Sequence, residues 1–220
     1  MNPPVKGGRE RSELGGLTAP SMDTALFDLG KVLLDWSPRY YYERFFDDEA
    51  ALGRFLAEVV APEWILEMDA GKPINRAVAE RQRRFPEHAE LIARWREGWP
   101  EMLRGEIAGT VAVVEALRAR RRRLYALTNF STETFPIAQA LCPSLALFED
   151  TVVSGEVGLV KPDPRIYALA IERCRLDPAR TVFVDDHLVN VEAARAQGFH
   201  ALQFTTPERL REELRSLALL

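Results

Sequence analysis

Two rhythms of apolar and polar residues divide the chain. Short apolar runs ending in a polar residue or a turn recur at Thr24–Asp28, Leu124–Thr128, Thr181–Val184 and His200–Phe204, with a lesser one near Thr151–Val153. Runs of this kind predict buried strands. Apolar residues at helical spacing fill the intervals: Ile107 to about Arg121, Thr132 to Leu141, Pro164 to about Cys174, Leu188 to Gln197, and a last helix from Pro207. Gly198 supplies a stop signal after the fourth of these. Strands alternating with helices of this length predict a parallel sheet covered on both faces.

The stretch from Pro38 to about Gly105 breaks that rhythm. Leu52, Phe55, Leu56 and Val59 recur at helical spacing, and Pro62, Gly71-Lys72-Pro73, Pro86 and Gly98-Trp99-Pro100 punctuate the helices. The stretch shows no convincing strand and holds Trp64, Trp95 and Trp99. It reads as a helical insert after the first strand. The expected organisation is therefore an α/β core from residues 23–37 and 106–220, an insert from 38–105, and a disordered tail over 1–22. Gly, Pro and charge dominate that tail, which lacks the apolar centre of a signal peptide. Met22, just before the first strand, is a second candidate start.

Composition narrows the partners. The formal net charge is -4 and 47% of residues are hydrophobic, which suits a packed domain and argues against a general nucleic-acid binder. The run Arg118–Arg123 is the exception, but cations at a predicted helix C-terminus complement its dipole, so a solvated turn is expected there. No apolar run approaches a membrane span. Cys142 and Cys174 form neither a metal signature nor a disulfide framework, consistent with the reducing cytoplasm.

The predicted strand ends carry polar groups that strands do not need. Asp28 follows Thr24–Phe27; by itself it also reads as a turn former before Gly30. Thr128-Asn129 follows the second run, Lys161 lies in Gly158-Leu159-Val160-Lys161-Pro162-Asp163-Pro164, and Asp185-Asp186 follows Thr181–Val184. In a parallel sheet these ends share one edge, where ligands bind. A carboxylate nucleophile, a hydroxyl with a backbone N–H, an ammonium and a carboxylate pair suit a phosphoryl group and a magnesium ion.

Taken in order, Phe27-Asp28-Leu29-Gly30, Leu127-Thr128-Asn129, Lys161-Pro162-Asp163-Pro164 and Val184-Asp185-Asp186 with Asn190 resemble the haloacid dehalogenase-like hydrolase superfamily. They are most similar to its phosphatases with a helical cap after strand 1. The resemblance implies a Rossmann-like core and Mg²⁺-dependent hydrolysis of small phosphorylated metabolites by a monomer or homodimer. It implies that Asp28 attacks phosphorus to form an aspartyl-phosphate, while Thr128 and the Asn129 N–H hold phosphoryl oxygens and Lys161 bridges nucleophile and phosphate. Asp28, the Gly30 carbonyl and Asp186 would face the metal, with Asp185 beside them, and Asn190 would orient metal waters or Lys161. His187 is expected to be exposed.

Gly30 departs from the pattern. Most phosphatases of the superfamily carry there a second Asp that protonates the leaving oxygen and then activates water. Some similar enzymes that act on sugar 1-phosphates lack it, so activated phosphates are the expected substrates. Two other readings stand beside this one: a metal-independent 2-haloacid dehalogenase, which also lacks that Asp, and a catalytically weak binding or regulatory domain. The crowding of Asp185-Asp186 against Asp28 favours a cation. In the insert, Trp64, Asp69 and Lys72, with Arg39 near its start, are the candidate substrate contacts; for Trp64 the alternative is a place in the insert's own core.

Overall fold

The computed structural model describes residues 22–220; the expected tail, apart from Met22, lies outside them. Among the described residues there are seven strands: β1 (Thr24–Phe27), β2 (Leu34–Trp36), β3 (Leu103–Glu106), β4 (Arg123–Thr128), β5 (Asp150–Val153), β6 (Thr181–Asp185) and β7 (His200–Gln203). Five form a parallel sheet in the order β5-β4-β1-β6-β7. β1 therefore lies at the centre, with strands later in the chain on either side.

Period-2 side-chain alternation divides the core into two layers. Ala25 and Phe27 of β1 face one layer with Val113 and Leu117 of helix Ala108–Ala119 and Leu210 and Leu214 of helix Pro207–Ser216. Leu26 faces the other with Tyr167 and Ala170 of helix Pro164–Cys174 and Val191 and Ala194 of helix Leu188–Ala196. Burial on both faces explains why these strands read as near-continuous apolar runs. The starts of the helices were written locally. Asp163 accepts from the Arg165 N–H with Pro164 in the first turn, and Thr206 accepts from the Arg209 N–H with Pro207 following.

Between β2 and β3 the chain is helical in short pieces, from Arg39–Tyr42 to Trp99–Met102. β2 and β3 pair antiparallel at the base of this segment. β3 (Leu103–Glu106) is a correction to the sequence reading, which found no convincing strand between Pro38 and about Gly105. Leu-Arg-Gly-Glu lacks β-branched residues and alternation; pairing with β2, not propensity, makes it a strand. The arginine run turns the chain between helix Ala108–Ala119 and β4. Arg122 donates to the carbonyls of Ala218 and Leu219, and Arg123 to that of Cys174. Among the described residues no helix is long and apolar enough to cross a membrane.

Candidate active site

Register assembles the site. Phe27 stands level with Ala126 of β4 and Val184 of β6, so Asp28 leaves the sheet beside Asp185 and one step below Thr128. The Asp28 N–H donates to the Val184 carbonyl (2.8 Å), and Asp28 Oδ1 accepts from the Leu29 N–H (2.7 Å). Lys161 Nζ lies 2.9 Å from Asp28 Oδ1 and 2.7 Å from Asp185 Oδ2, with all three side chains buried or nearly so. Thr128 is buried at the end of β4.

Lys161 does not stand at a strand end, as its motif suggested, but in the loop after the short helix Ser154–Val157. The Asn129 side chain holds that loop: its Nδ2 donates to the Lys161 carbonyl (3.0 Å) and its Oδ1 accepts from the Lys161 N–H (2.8 Å). Asn129 thus positions the ammonium, a role that its motif does not advertise. Asn190 Nδ2 donates to both oxygens of Asp185 (3.0 and 3.2 Å), and the His187 N–H donates to Oδ1 (2.9 Å). Asn190 is therefore seated on Asp185, not directly on Lys161. The His187 side chain is exposed.

Burial raises the Asp28 carboxyl to about 6; Lys161 pulls it down, and Asp185 and Asp186 push it up. Burial likewise raises Asp186. For Lys161 burial disfavours the ammonium, but Asp28 and Asp185 outweigh it and hold the group above its usual range. Oxygens of Asp28, Asp185 and Asp186 lie within 4.8 Å of one another. Three carboxylates against one ammonium leave negative charge in a confined space, and an all-oxygen donor set suits a hard divalent cation. Asp185 already accepts from Lys161, Asn190 and the His187 N–H. The oxygens left for a metal come chiefly from Asp28 and Asp186.

Beside this cluster opens a cleft of about 70 Å³, with Gly30 and Asn129 among its lining residues. Asp69 lines it, whereas Trp64, Lys72 and Arg39 do not. Trp64 belongs to the core of the helical segment: its Nε1 donates to the Ala77 carbonyl (3.1 Å) and its ring packs edge-on to Trp95. Lys72 is ion-paired with Glu67 (2.8 Å) and with Glu80, and Arg39 with Glu49 (3.0 Å). Three features escaped the sequence reading. Trp36, Trp95 and Trp99 line the cleft. Ser154 links segment to sheet, donating to the Asp69 carbonyl (2.5 Å) and accepting from the Phe130 N–H (2.9 Å). Glu133 accepts from the Ile74 N–H (2.7 Å) and pairs with Arg96.

Burial raises the Asp69 carboxyl to about 7, against a hydrogen bond from the Ser131 backbone that lowers it. The folded state then keeps a proton that the unfolded chain releases near pH 4, so this group's contribution to stability is lost as pH rises from about 4 to about 7. Full burial would make the loss about 4 kcal/mol; solvent still reaching Asp69 reduces it to roughly half. In Asp69→Asn, denaturant unfolding at pH 4.5 and 7.5 should show a shallower decline than in the natural protein. An unchanged decline would contradict this.

Comparison with known proteins agrees with the geometry. A model of the family described as haloacid dehalogenase-like hydrolase matches residues 22–198. The chain belongs to that family. It is 27% identical over 195 residues to a sesquiterpene phosphatase of Aspergillus oryzae, covering 88% of this chain and 95% of the relative. It is 25% identical over 189 residues to a phosphorylated carbohydrates phosphatase of Thermotoga maritima, covering 82% and 84%. Other relatives are much longer: the chain spans 6% of mouse acyl-CoA dehydrogenase family member 10 and 18% of the drimenol cyclase of Aspergillus calidoustus. A magnesium complex of a family enzyme from Bacteroides thetaiotaomicron has the same fold (TM-score 0.70, 20% identity, 89% of this chain and 100% of that one). This family member is accordingly a hydrolase with an α/β sheet core.

Proposed function

We propose that this hydrolase removes phosphate from a small phosphorylated metabolite, with Mg²⁺, through an aspartyl-phosphate on Asp28. The observation that carries the reading is the buried Asp28–Lys161–Asp185 array with Asp186 within reach of the same cation. A magnesium ion held by Asp28, Asp186 and the Gly30 carbonyl would neutralise phosphoryl charge. A carboxylate oxygen of Asp28 attacks phosphorus as the ester P–O bond breaks, and the electron pair leaves with the alcohol oxygen. Lys161, steadied by Asn129 and Asp185, holds the nucleophile toward the phosphoryl group. Thr128 and the Asn129 N–H take phosphoryl oxygens. Water then attacks phosphorus and frees Asp28. The helical segment over residues 38–105 acts as a cap that carries Asp69 to the substrate, and Lys72, Arg39 and Trp64 support it indirectly through their ion pairs and packing. The phosphatase names of the two long relatives support this reading, as does the cluster of three carboxylates, which a metal-free dehalogenase would leave with the Lys161 ammonium as its buried counter-charge and an excess of negative charge. Magnesium dependence in a screen of phosphorylated metabolites separates the two. Turnover of a 2-haloacid without metal, and of no phosphate ester, would reverse the assignment. The chain is proposed to work in the cytoplasm as a monomer or homodimer on small molecules, not on nucleic acid or membranes.

Gly30 sets the kinetics. With no carboxylate there, esters with good leaving groups, of which sugar 1-phosphates are one class, should be favoured. Hydrolysis of the intermediate, which gains nothing from the leaving group, should limit the rate. Rapid mixing should therefore show a burst of released alcohol before steady turnover. An added Cβ at Gly30 meets no atom within 4 Å, so Gly30→Asp can be built. That variant should raise activity toward ethyl phosphate, by up to ~10²-fold or more if the carboxyl reaches the ester oxygen. No burst, together with equal turnover of ethyl and activated esters by the natural protein, would show that another group supplies the acid.

A further inference from the structure

We propose that the cleft beside Gly30 receives the alcohol half of the substrate and that this alcohol is apolar, an aryl group and not a hydroxyl-rich sugar. This rests on the phosphatase reading and names its leaving group.

The cleft is lined by Gly30 and Asn129, beside which the phosphoryl group would sit, and by Trp36, Trp95, Trp99 and Phe130 with Ile65 and Met68. Its polar lining is largely engaged. Both ends of the Asn129 amide are taken by Lys161. The Ser131 hydroxyl accepts from the Glu133 N–H, and the Thr134 hydroxyl donates to the Ser131 carbonyl. Asp69 is the single ionisable residue among those lining the cleft, and its carboxyl, raised to about 7 by burial, keeps its proton toward neutral pH. Among the fully buried side-chain polar atoms without a partner, the one on the cleft is Nε1 of Trp36. The two cations among the predicted substrate contacts, Lys72 and Arg39, are ion-paired elsewhere.

A sugar would bring several hydroxyls into this space and find few partners, and each unmatched hydroxyl is costly to bury. An apolar alcohol loses nothing there and gains from every carbon removed from water. Its ester oxygen lies beside Gly30, where the missing carboxylate makes an easily departing alcohol necessary. Aryl alcohols meet both demands. Small-molecule pockets are mostly apolar with few placed polar groups, which is the character of this lining.

The test is a series of para-alkylphenyl phosphates (methyl, ethyl, butyl, hexyl) measured with Mg²⁺ beside glucose 1-phosphate. Leaving-group acidity is nearly constant along the series, so a trend reports burial alone. kcat/KM should rise by up to about fourfold per methylene until the cleft is full, and glucose 1-phosphate should be the poorest activated ester. Ile65→Gln, checked by thermal unfolding for an intact fold, should flatten the slope. Binding gives an independent readout, because three of the four tryptophans line the cleft. In Asp28→Asn with Mg²⁺, hexylphenyl phosphate should shift tryptophan emission and inorganic phosphate should not. Hydrolysis of glucose 1-phosphate at least as fast as of the hexyl ester, with no trend along the series, would overturn the substrate class while leaving the phosphatase standing. Release of phosphate from no ester at all would overturn the phosphatase reading itself.

Discussion

Asp28→Asn should abolish turnover, with kcat lower by about 10⁴-fold or more, the scale on which loss of a covalent nucleophile is felt. The amide has the carboxylate's shape and can still accept from the Leu29 N–H, so the strand end should keep its form. It cannot form the acyl phosphate. Stability should stay within about 1 kcal/mol of the natural protein or rise, because one of three crowded carboxylates has lost its charge. Substrate binding with Mg²⁺ should survive in weakened form. Activity above one-hundredth of the natural level, in protein shown free of contaminating enzyme, would remove Asp28 from the role of nucleophile.

The second large effect is on the fold. Lys161→Met keeps the length and volume of the side chain and removes only the ammonium. Asp28 and Asp185 then face one another without their shared counter-charge, both buried. Breaking a buried pair from one side is strongly destabilising, by about 3–5 kcal/mol, because a charge is left uncompensated. The loss should appear in urea unfolding at pH 7.5 without divalent metal, and added Mg²⁺ should recover part of it. A cost under about 1 kcal/mol would mean that the carboxylates do not depend on Lys161 for their charge balance.

Much of this was readable in the chain because the strands are buried on both faces and end in residues that a core does not want. Phe27-Asp28, Leu127-Thr128 and Val184-Asp185 each mark the step from sheet to site, and register alone brings them together. Helix starts at Pro164 and Pro207 were written in the residues before them. Lys161 was legible as a residue but not as a place. Its approach to Asp28 depends on a loop clasped by the Asn129 amide, a contact between positions 32 apart that no local pattern encodes. Asn190 and Asp185 show a related limit. The sequence offers a carboxylate pair for a metal, while hydrogen bonds divide it into one member facing Lys161 and one left toward the cation site. The cleft was the least legible feature. Trp36 and Trp99 look like ordinary core residues in the sequence, and only the pairing of β2 with β3 and the packing of the helical segment turn them toward one cavity. For Trp64, Lys72 and Arg39 the sequence showed residue types suited to a substrate, but nearer partners had claimed them.

The most direct test of the central claim is to quench the enzyme in acid during turnover of a phosphate ester and map covalent phosphate on its peptides. The account predicts a hydroxylamine-labile phosphoryl group on the peptide containing Asp28, formed only when Mg²⁺ is present and absent from Asp28→Asn. Full turnover with no covalent phosphate at any time point, or phosphate on another residue, would contradict it.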